Sequence, residues 1–228
     1  MKHRAEQRVL ISAVMGSQRR LHLFDVDGTL IRGSAAAVEI SRQLGVSAEI
    51  DELERQFLQL GLAPDEFAVR ARELWSELTT EQVDAAFAGA PWLAGIREVW
   101  AEIRAQGDYC AVISLGPGFF VERLLDWGAH AAHGSRWPGL PFTEPIDRAG
   151  ILNPSAKVEI AGRLCTEFGV GLADCVAFGD SMSDAEVFRV VDTAVAVNAD
   201  HHLAGLATHT YTGGDLREAY ALVRSAGA

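Results

Sequence analysis

Four short polar segments of this 228-residue chain hold residue types that could do chemistry together. Asp25-Val26-Asp27-Gly28-Thr29 sets two carboxylates one residue apart after an apolar run. Ser114-Leu115-Gly116-Pro117-Gly118 follows a hydroxyl with glycines, and Lys157 stands shortly after Asn153-Pro154-Ser155. Gly179-Asp180-Ser181-Met182-Ser183-Asp184 closes a second apolar run, Cys175-Val176-Ala177-Phe178. Carboxylates act as nucleophiles, as proton donors and acceptors, and as ligands for hard cations. A lysine supplies positive charge to an anionic group.

Charge narrows the choice of partner. The formal net charge is −11 and the pI about 5.0. A nucleic-acid binder needs basic surface to displace counterions, so that class is disfavoured. An anionic small molecule is allowed if a local cation offsets the repelling overall field. Lysine occurs only at positions 2 and 157, which makes the placement of Lys157 informative.

Positioning these groups requires strand ends, and the hydrophobic pattern supplies them. Residues 21–29 read as a short buried strand running into an acidic turn. Apolar spacing predicts helices over 35–46, 49–60 and from Asp65 to Leu78, with Thr79 or Thr80 capping another through Phe87. Residues 31–94 are therefore expected to be all helical. Beyond them come a helix over 94–106, a buried strand at 109–115, a helix at 118–127 and a short segment near 129–134. A helix over 154–168, a strand at 174–179, a helix at 183–190 and a strand at 192–197 follow. A strand near 209–211 and a helix over 215–225 close the chain.

Alternating strands and helices predict an α/β fold with a doubly wound parallel sheet, in which ligands bind beyond the carboxyl ends of strands. The expected organisation is an N-terminal extension (1–20), a catalytic core (21–30 and 95–228), and a small all-helical cap domain (31–94) inserted after the first strand.

Taken singly, each segment has a plain structural explanation. Asp and Gly favour turns, a strand-end serine bonds to backbone, and a helix lysine is usually solvated. Their joint occurrence in this order is what carries weight. FDVDGTL resembles the first motif of the haloacid dehalogenase-like hydrolase superfamily, and the other three segments fall where its remaining motifs would. The likeness covers 21–225. It is closest to the phosphoserine-phosphatase-like branch, through the glycine-bearing loop after Ser114, the Asn153-Pro154-Ser155-Ala156-Lys157 segment, and the run from Gly179 to Phe188.

The resemblance implies a Mg²⁺-dependent phosphatase acting on a small phosphorylated metabolite. Asp25 would be the nucleophile that forms an aspartyl-phosphate, and Asp27 the general acid and then base. Asp27 also favours phosphate chemistry over dehalogenation. Asp25, the backbone carbonyl of Asp27, Asp180 and Asp184 would hold Mg²⁺, a cation suited to a few carboxylates plus water and phosphate. Gly28, Ser114, Leu115, Gly116 and Ser183 would line the phosphate site, and Lys157 would neutralise phosphate and Asp25. Phosphoserine phosphatase proper, a phosphotransferase or mutase, and lastly a silent binding module are the alternatives.

Substrate recognition departs from the branch. Ser34 stands where phosphoserine phosphatases carry a glutamate for the substrate amine, with no acid before Glu39. Arg70 and Arg72 are candidates for a substrate carboxylate, and residues two apart on a helix cannot share a face. Leu115-Gly116 replaces a glycine pair, and Ser183 an asparagine. A buried ammonium without a partnering acid costs several kcal/mol, on the order of the penalty for any unpaired buried ion. An uncharged or carboxylate-only substrate is therefore expected.

The remaining features have plain readings. Cys110, Cys165 and Cys175 lack paired spacing and read as reduced core thiols of a cytoplasmic protein. His130, His133, His201, His202 and His209 show no ligand pattern for a transition metal. The five tryptophans read as packing residues, and Glu49, Asp51, Glu52 and Glu54 as a solvated helix face. No apolar run reaches the ~18 residues of a membrane span.

Overall fold

The computed structural model describes residues 19–224. In chain order, β1 (Leu21–Phe24), β2 (Asp27–Gly28) and β3 (Ile31–Arg32) precede four helices: α1 (Ala36–Leu44), α2 (Ser47–Leu60), α3 (Pro64–Leu74) and α4 (Thr80–Gly89). Helix α5 (Ile96–Ala105), β4 (Tyr109–Pro117), α6 (Gly118–Val121) and β5 (Ala131–Ser135) follow. The chain continues through α7 (Pro154–Phe168), β6 (Cys175–Gly179), α8 (Ala185–Val190), β7 (Thr193–Val197), β8 (His209–Tyr211) and α9 (Leu216–Ala221). The main sheet has the order β5-β4-β1-β6-β7-β8, with every pairing parallel. The fold is thus the doubly wound α/β sheet with a helical cap that the pattern implied.

Alternation along the central strands explains the two-sided packing. Leu21 and Leu23 of β1, Cys175 and Ala177 of β6, and Ala194 and Ala196 of β7 face one side, beneath α7 and α8. Phe24, Val176, Phe178, Val195 and Val197 face the other, against α5, α9 and the inner residues of the cap helices. The alanine-lined face lets helices approach closely; the bulkier face fills the wider space on the cap side. Trp75, Ile50 and Leu53 of the cap belong to the same continuous core as Phe24.

Several expected elements differ in kind. Residues 31–94 are not wholly helical: β3 pairs with β2, and Trp92 bridges back to Ile31 in antiparallel fashion. This small ribbon ties the entry and exit of the insertion together at the floor of the cap. The expected helix over 118–127 is one α-turn continued as a 3-10 helix over Glu122–Trp127, ending at Gly128. The short segment expected near 129–134 proves to be the edge strand β5, Ala131–Ser135. The helix capped by Thr79 carries a reciprocal capping box with Gln82. The N-terminal extension lies outside the described residues, apart from Arg19 and Arg20.

Candidate active site

β1 and β6 are neighbours in register, Phe24 opposite Phe178, so their following loops emerge side by side. This brings Asp25 and Asp180 together. Asp25 is buried, and its backbone N–H donates to the Phe178 carbonyl at 3.0 Å. Lys157 is delivered by the first turn of α7. Asn153 caps that helix by accepting from Ala156 N–H at 3.0 Å, and Pro154 occupies its first turn.

Lys157 Nζ donates to Asp25 Oδ1 at 2.6 Å, Asp184 Oδ1 at 2.7 Å and Ser183 Oγ at 3.1 Å, with only 2% of its side chain exposed. Three acceptors use all three ammonium protons. The two carboxylates raise the Lys157 pKa even against burial, which alone would lower it. Burial pushes Asp25 well above the usual carboxylate range; Lys157 opposes that rise, and Asp184, Asp180 and Asp27 add to it.

Asp27 is held at both oxygens. Its Oδ1 accepts from the Ala36 N–H at 2.6 Å, and its Oδ2 accepts from Ser114 Oγ at 2.9 Å. Burial nonetheless raises its pKa, the direction a proton donor needs. Ser114 in turn accepts from the Gly116 N–H at 2.8 Å and is fully buried. It therefore faces Asp27 rather than the open cavity, while Leu115 and Gly116 line that cavity.

The residues fit a hard divalent cation. Carboxylate oxygens of Asp25, Asp180 and Asp184 lie within 4.8 Å of one another. Gly28 makes room: with φ +82°, an added Cβ would stand 2.1 Å from Asp180 Oδ2. Burial first, and then Asp184, push Asp180 up to about 7, the strain of crowded acids that a cation would relieve. Asp184 is the best satisfied of the three, since its Oδ2 also accepts from Asp180 N–H at 3.1 Å. It suits a supporting role in the cluster.

The cavity above these groups has a volume of about 390 Å³, within the range of small-molecule pockets. Asp25, Asp27, Gly28, Asp180, Ser181 and Ser183 form its floor. Its walls include Val38, Phe57, Leu58, Phe67, Ala68, Trp137 and Ile151, with Ser34, Glu54 and Ser135 as polar exceptions.

Neither Arg70 nor Arg72 lines the cavity, which corrects the expectation that one of them enters it. Arg70 donates to Glu66 and Gln56 on the outside of the cap. Arg72 donates to the Glu144 carbonyl at 2.9 Å and lies over the Phe142 ring. Glu39 is also turned away, bonded to Ser34 and Arg42. Glu54 departs from the solvated-face reading: it lies four residues after buried Ile50 and three before Phe57, on the inward stripe of α2. That stripe was the signal available in the sequence. Thr29 was also missed. Fully buried, its hydroxyl sits 3.3 Å from Asp25 Oδ2 and 3.2 Å from Asp180 Oδ1.

All three cysteines are free and buried, yet Cys165 and Cys175 come together with sulfurs 3.3 Å apart. Trp75 is core, stacked on cavity-lining Trp137. Asp200, His201 and His202 cluster on the surface, where Asp200 caps the turn through His202 N–H.

Comparison with known proteins agrees with this geometry. The family model described as haloacid dehalogenase-like hydrolase matches residues 22–189. A phosphoserine phosphatase of Methanocaldococcus jannaschii is 27% identical over 206 residues, covering 90% of this chain and 97% of that protein. A putative hydrolase of Mycobacterium leprae is 24% identical over 81% of this chain and 68% of its own length. Among solved structures, a substrate-bound phosphoserine phosphatase complex superposes with a TM-score of 0.78 at 25% identity, covering 92% of this chain and all of that one. A phospho-aspartyl intermediate analogue of phosphoserine phosphatase gives 0.77 at 25% identity, covering 91% and 100%. With most of its length matched by that family model, the chain belongs to the haloacid dehalogenase-like hydrolases, and its likeness within them is to the phosphoserine phosphatases.

Proposed function

We propose that the protein is a Mg²⁺-dependent phosphatase that hydrolyses the phosphomonoester of a small metabolite through an aspartyl-phosphate on Asp25. The carrying observation is the arrangement of Asp25. One of its oxygens is fixed on Lys157, and the residue lies on the cavity floor beside Asp27.

Asp25 attacks phosphorus as the P–O bond to the alcohol breaks, and Asp27 gives its proton to the departing oxygen. Water then attacks the aspartyl-phosphate, losing its proton to Asp27, and phosphate leaves with Asp25 regenerated. Ser114 holds Asp27 in place, and Gly116 orients Ser114. Lys157 opposes the rise that burial imposes on Asp25, favouring its ionised form, and its charge offsets that of the phosphate. Asp25, Asp180 and the Asp27 carbonyl would hold Mg²⁺, with Asp184 supporting them, and the ion would neutralise phosphate oxygens as charge develops. The cap, closing the cavity from above, would limit water during transfer. Buried free thiols support a reducing, cytoplasmic setting, and no helix among the described residues is long and apolar enough to cross a membrane.

The test is phosphate release from a panel of phosphorylated metabolites, with and without Mg²⁺, for wild type and Asp25→Asn. Release that needs Mg²⁺ and vanishes in the variant is expected. Release that persists in Asp25→Asn would remove the covalent step.

A further inference from the structure

Glu54 is the one ionisable group that the cap contributes to the cavity. It stands on the inward stripe of α2 with Ile50, Leu53 and Phe57, where helical patterning calls for an apolar residue. Among the described residues it makes no hydrogen bond or ion pair. The other cap residues that line the cavity, among them Val38, Phe57, Leu58, Phe67 and Ala68, are apolar apart from Ser34, and none carries a positive charge. Burial, with Asp27 and Asp51 nearby, pushes its carboxyl up to about 7, so nothing in the chain compensates its charge.

The cavity's charge is equally one-sided. Its ionisable lining groups are Asp25, Asp27, Glu54 and Asp180; no lysine, arginine or histidine lines it among the described residues. Lys157 lies beneath Asp25 with its three protons committed. Arg70 and Arg72 are engaged outside. A substrate carboxylate would enter a site with no cation to receive it. A cationic nitrogen would meet Glu54, and an apolar skeleton would fit the walls between Glu54 and the floor.

We propose that Glu54 is the specificity-determining residue of this cavity and that the substrate is the phosphate ester of an amino alcohol with an apolar skeleton and no carboxylate. The inference rests on the phosphatase reading above and names its substrate class. It replaces the expectation of an uncharged or carboxylate-only substrate, which assumed that no acid reached the site.

The experiment compares n-alkyl, ω-aminoalkyl and ω-carboxyalkyl phosphates of matched length, with p-nitrophenyl phosphate as a generic substrate, on the Mg²⁺-loaded full chain. The aminoalkyl series should exceed the alkyl series in kcat/KM by about tenfold or more, the yield of one charged hydrogen bond. The carboxyalkyl series should fall below both. In Glu54→Gln the amino-to-alkyl ratio should drop to about one. A carboxyalkyl preference, equal rates for amino and alkyl esters, or a ratio that survives in Glu54→Gln would overturn the proposal. Failure to hydrolyse any compound, p-nitrophenyl phosphate included, would instead sink the phosphatase reading. Calorimetry with the matching phosphonates then decides the subsite alone: tighter aminoalkyl than alkyl binding, lost in Glu54→Gln, supports it, and equal binding overturns it.

Discussion

Lys157 and Asp25 form an ion pair at 2.6 Å with side chains 2% and 5% exposed, although 132 positions separate them in the chain. Two charges so far from water stand only because each answers the other, and Asp184 joins them at 2.7 Å. Lys157→Met would leave two buried carboxylates without a counter-charge. The variant should lose about 3–5 kcal/mol in urea unfolding without Mg²⁺, the usual penalty for orphaning a buried charge. It should also lose turnover by more than about 100-fold. A variant as stable as wild type would show that the pair is not needed to offset burial.

The role of proton donor proposed for Asp27 makes a prediction about leaving groups. Asp27→Asn should lower kcat on alkyl phosphates by about 10²–10⁴-fold, the range for general acid catalysis. The loss on p-nitrophenyl phosphate should be much smaller, because nitrophenolate leaves without a proton. Equal losses on both would point to a positioning role through Ser114 and Ala36 instead.

Gly28 is placed where a methyl group would collide with Asp180. Gly28→Ala combines that overlap, 2.1 Å to Oδ2, with a positive φ that L-residues rarely adopt. The displaced carboxylate should weaken Mg²⁺ binding by about tenfold or more, read by titrating Mg²⁺ against activity and against thermal stabilisation. Wild-type Mg²⁺ dependence in the variant would place the cation away from Asp180.

His22 makes stability fall with acid. It is buried on β1 between Phe178 and Tyr220, with the Asp108 carboxylate at 3.6 Å, beyond hydrogen-bond reach. Burial lowers its pKa below 6.5; Asp108 partly opposes this, and Arg20 adds to it. The folded protein then binds fewer protons here than the unfolded chain. This contribution is complete above about pH 6.5 and is lost as pH falls from there toward the folded pKa, by at most about 1.4 kcal/mol per pH unit. Urea unfolding at pH 5.5 and 7.5 should show a smaller difference in His22→Leu than in wild type. An unchanged difference would assign the effect to other groups.

That the acidic strand-end groups and Lys157 would meet was legible because strand-end placement is local. Asp25, Asp27, Lys157, Asp180 and Asp184 each sit at a strand end or first helical turn, and parallel register brings those ends to one place. The cap was legible as helices but not as a lining. Glu54 belongs to a run of acids whose other members are exposed, and only the phase set by Ile50 and Leu53 separates it from them. The Glu66–Arg70 pair, four positions apart, is local, but the other partners of the two arginines, Gln56 for Arg70 and the 142–144 backbone for Arg72, lie 14 and some 70 positions away. Likewise, Cys165 and Cys175 meet through the packing of α7 on β6, which spacing does not encode.

The segment between β5 and α7 is stitched to the cap. Arg148 bonds Asp65 and Glu66 of α3, and Arg72 of α3 reaches back to the carbonyls of Phe142 and Glu144. Trp137 and Ile151, near the two ends of that segment, are cavity walls. Rotating α3 outward must either break these links or drag both walls along, so the chamber would widen from two sides at once. The stitches are exposed, and dissolved ions screen such pairs within about 8 Å at physiological ionic strength. Such an opening should therefore respond to salt, while the buried Lys157–Asp25 contact beneath it should not.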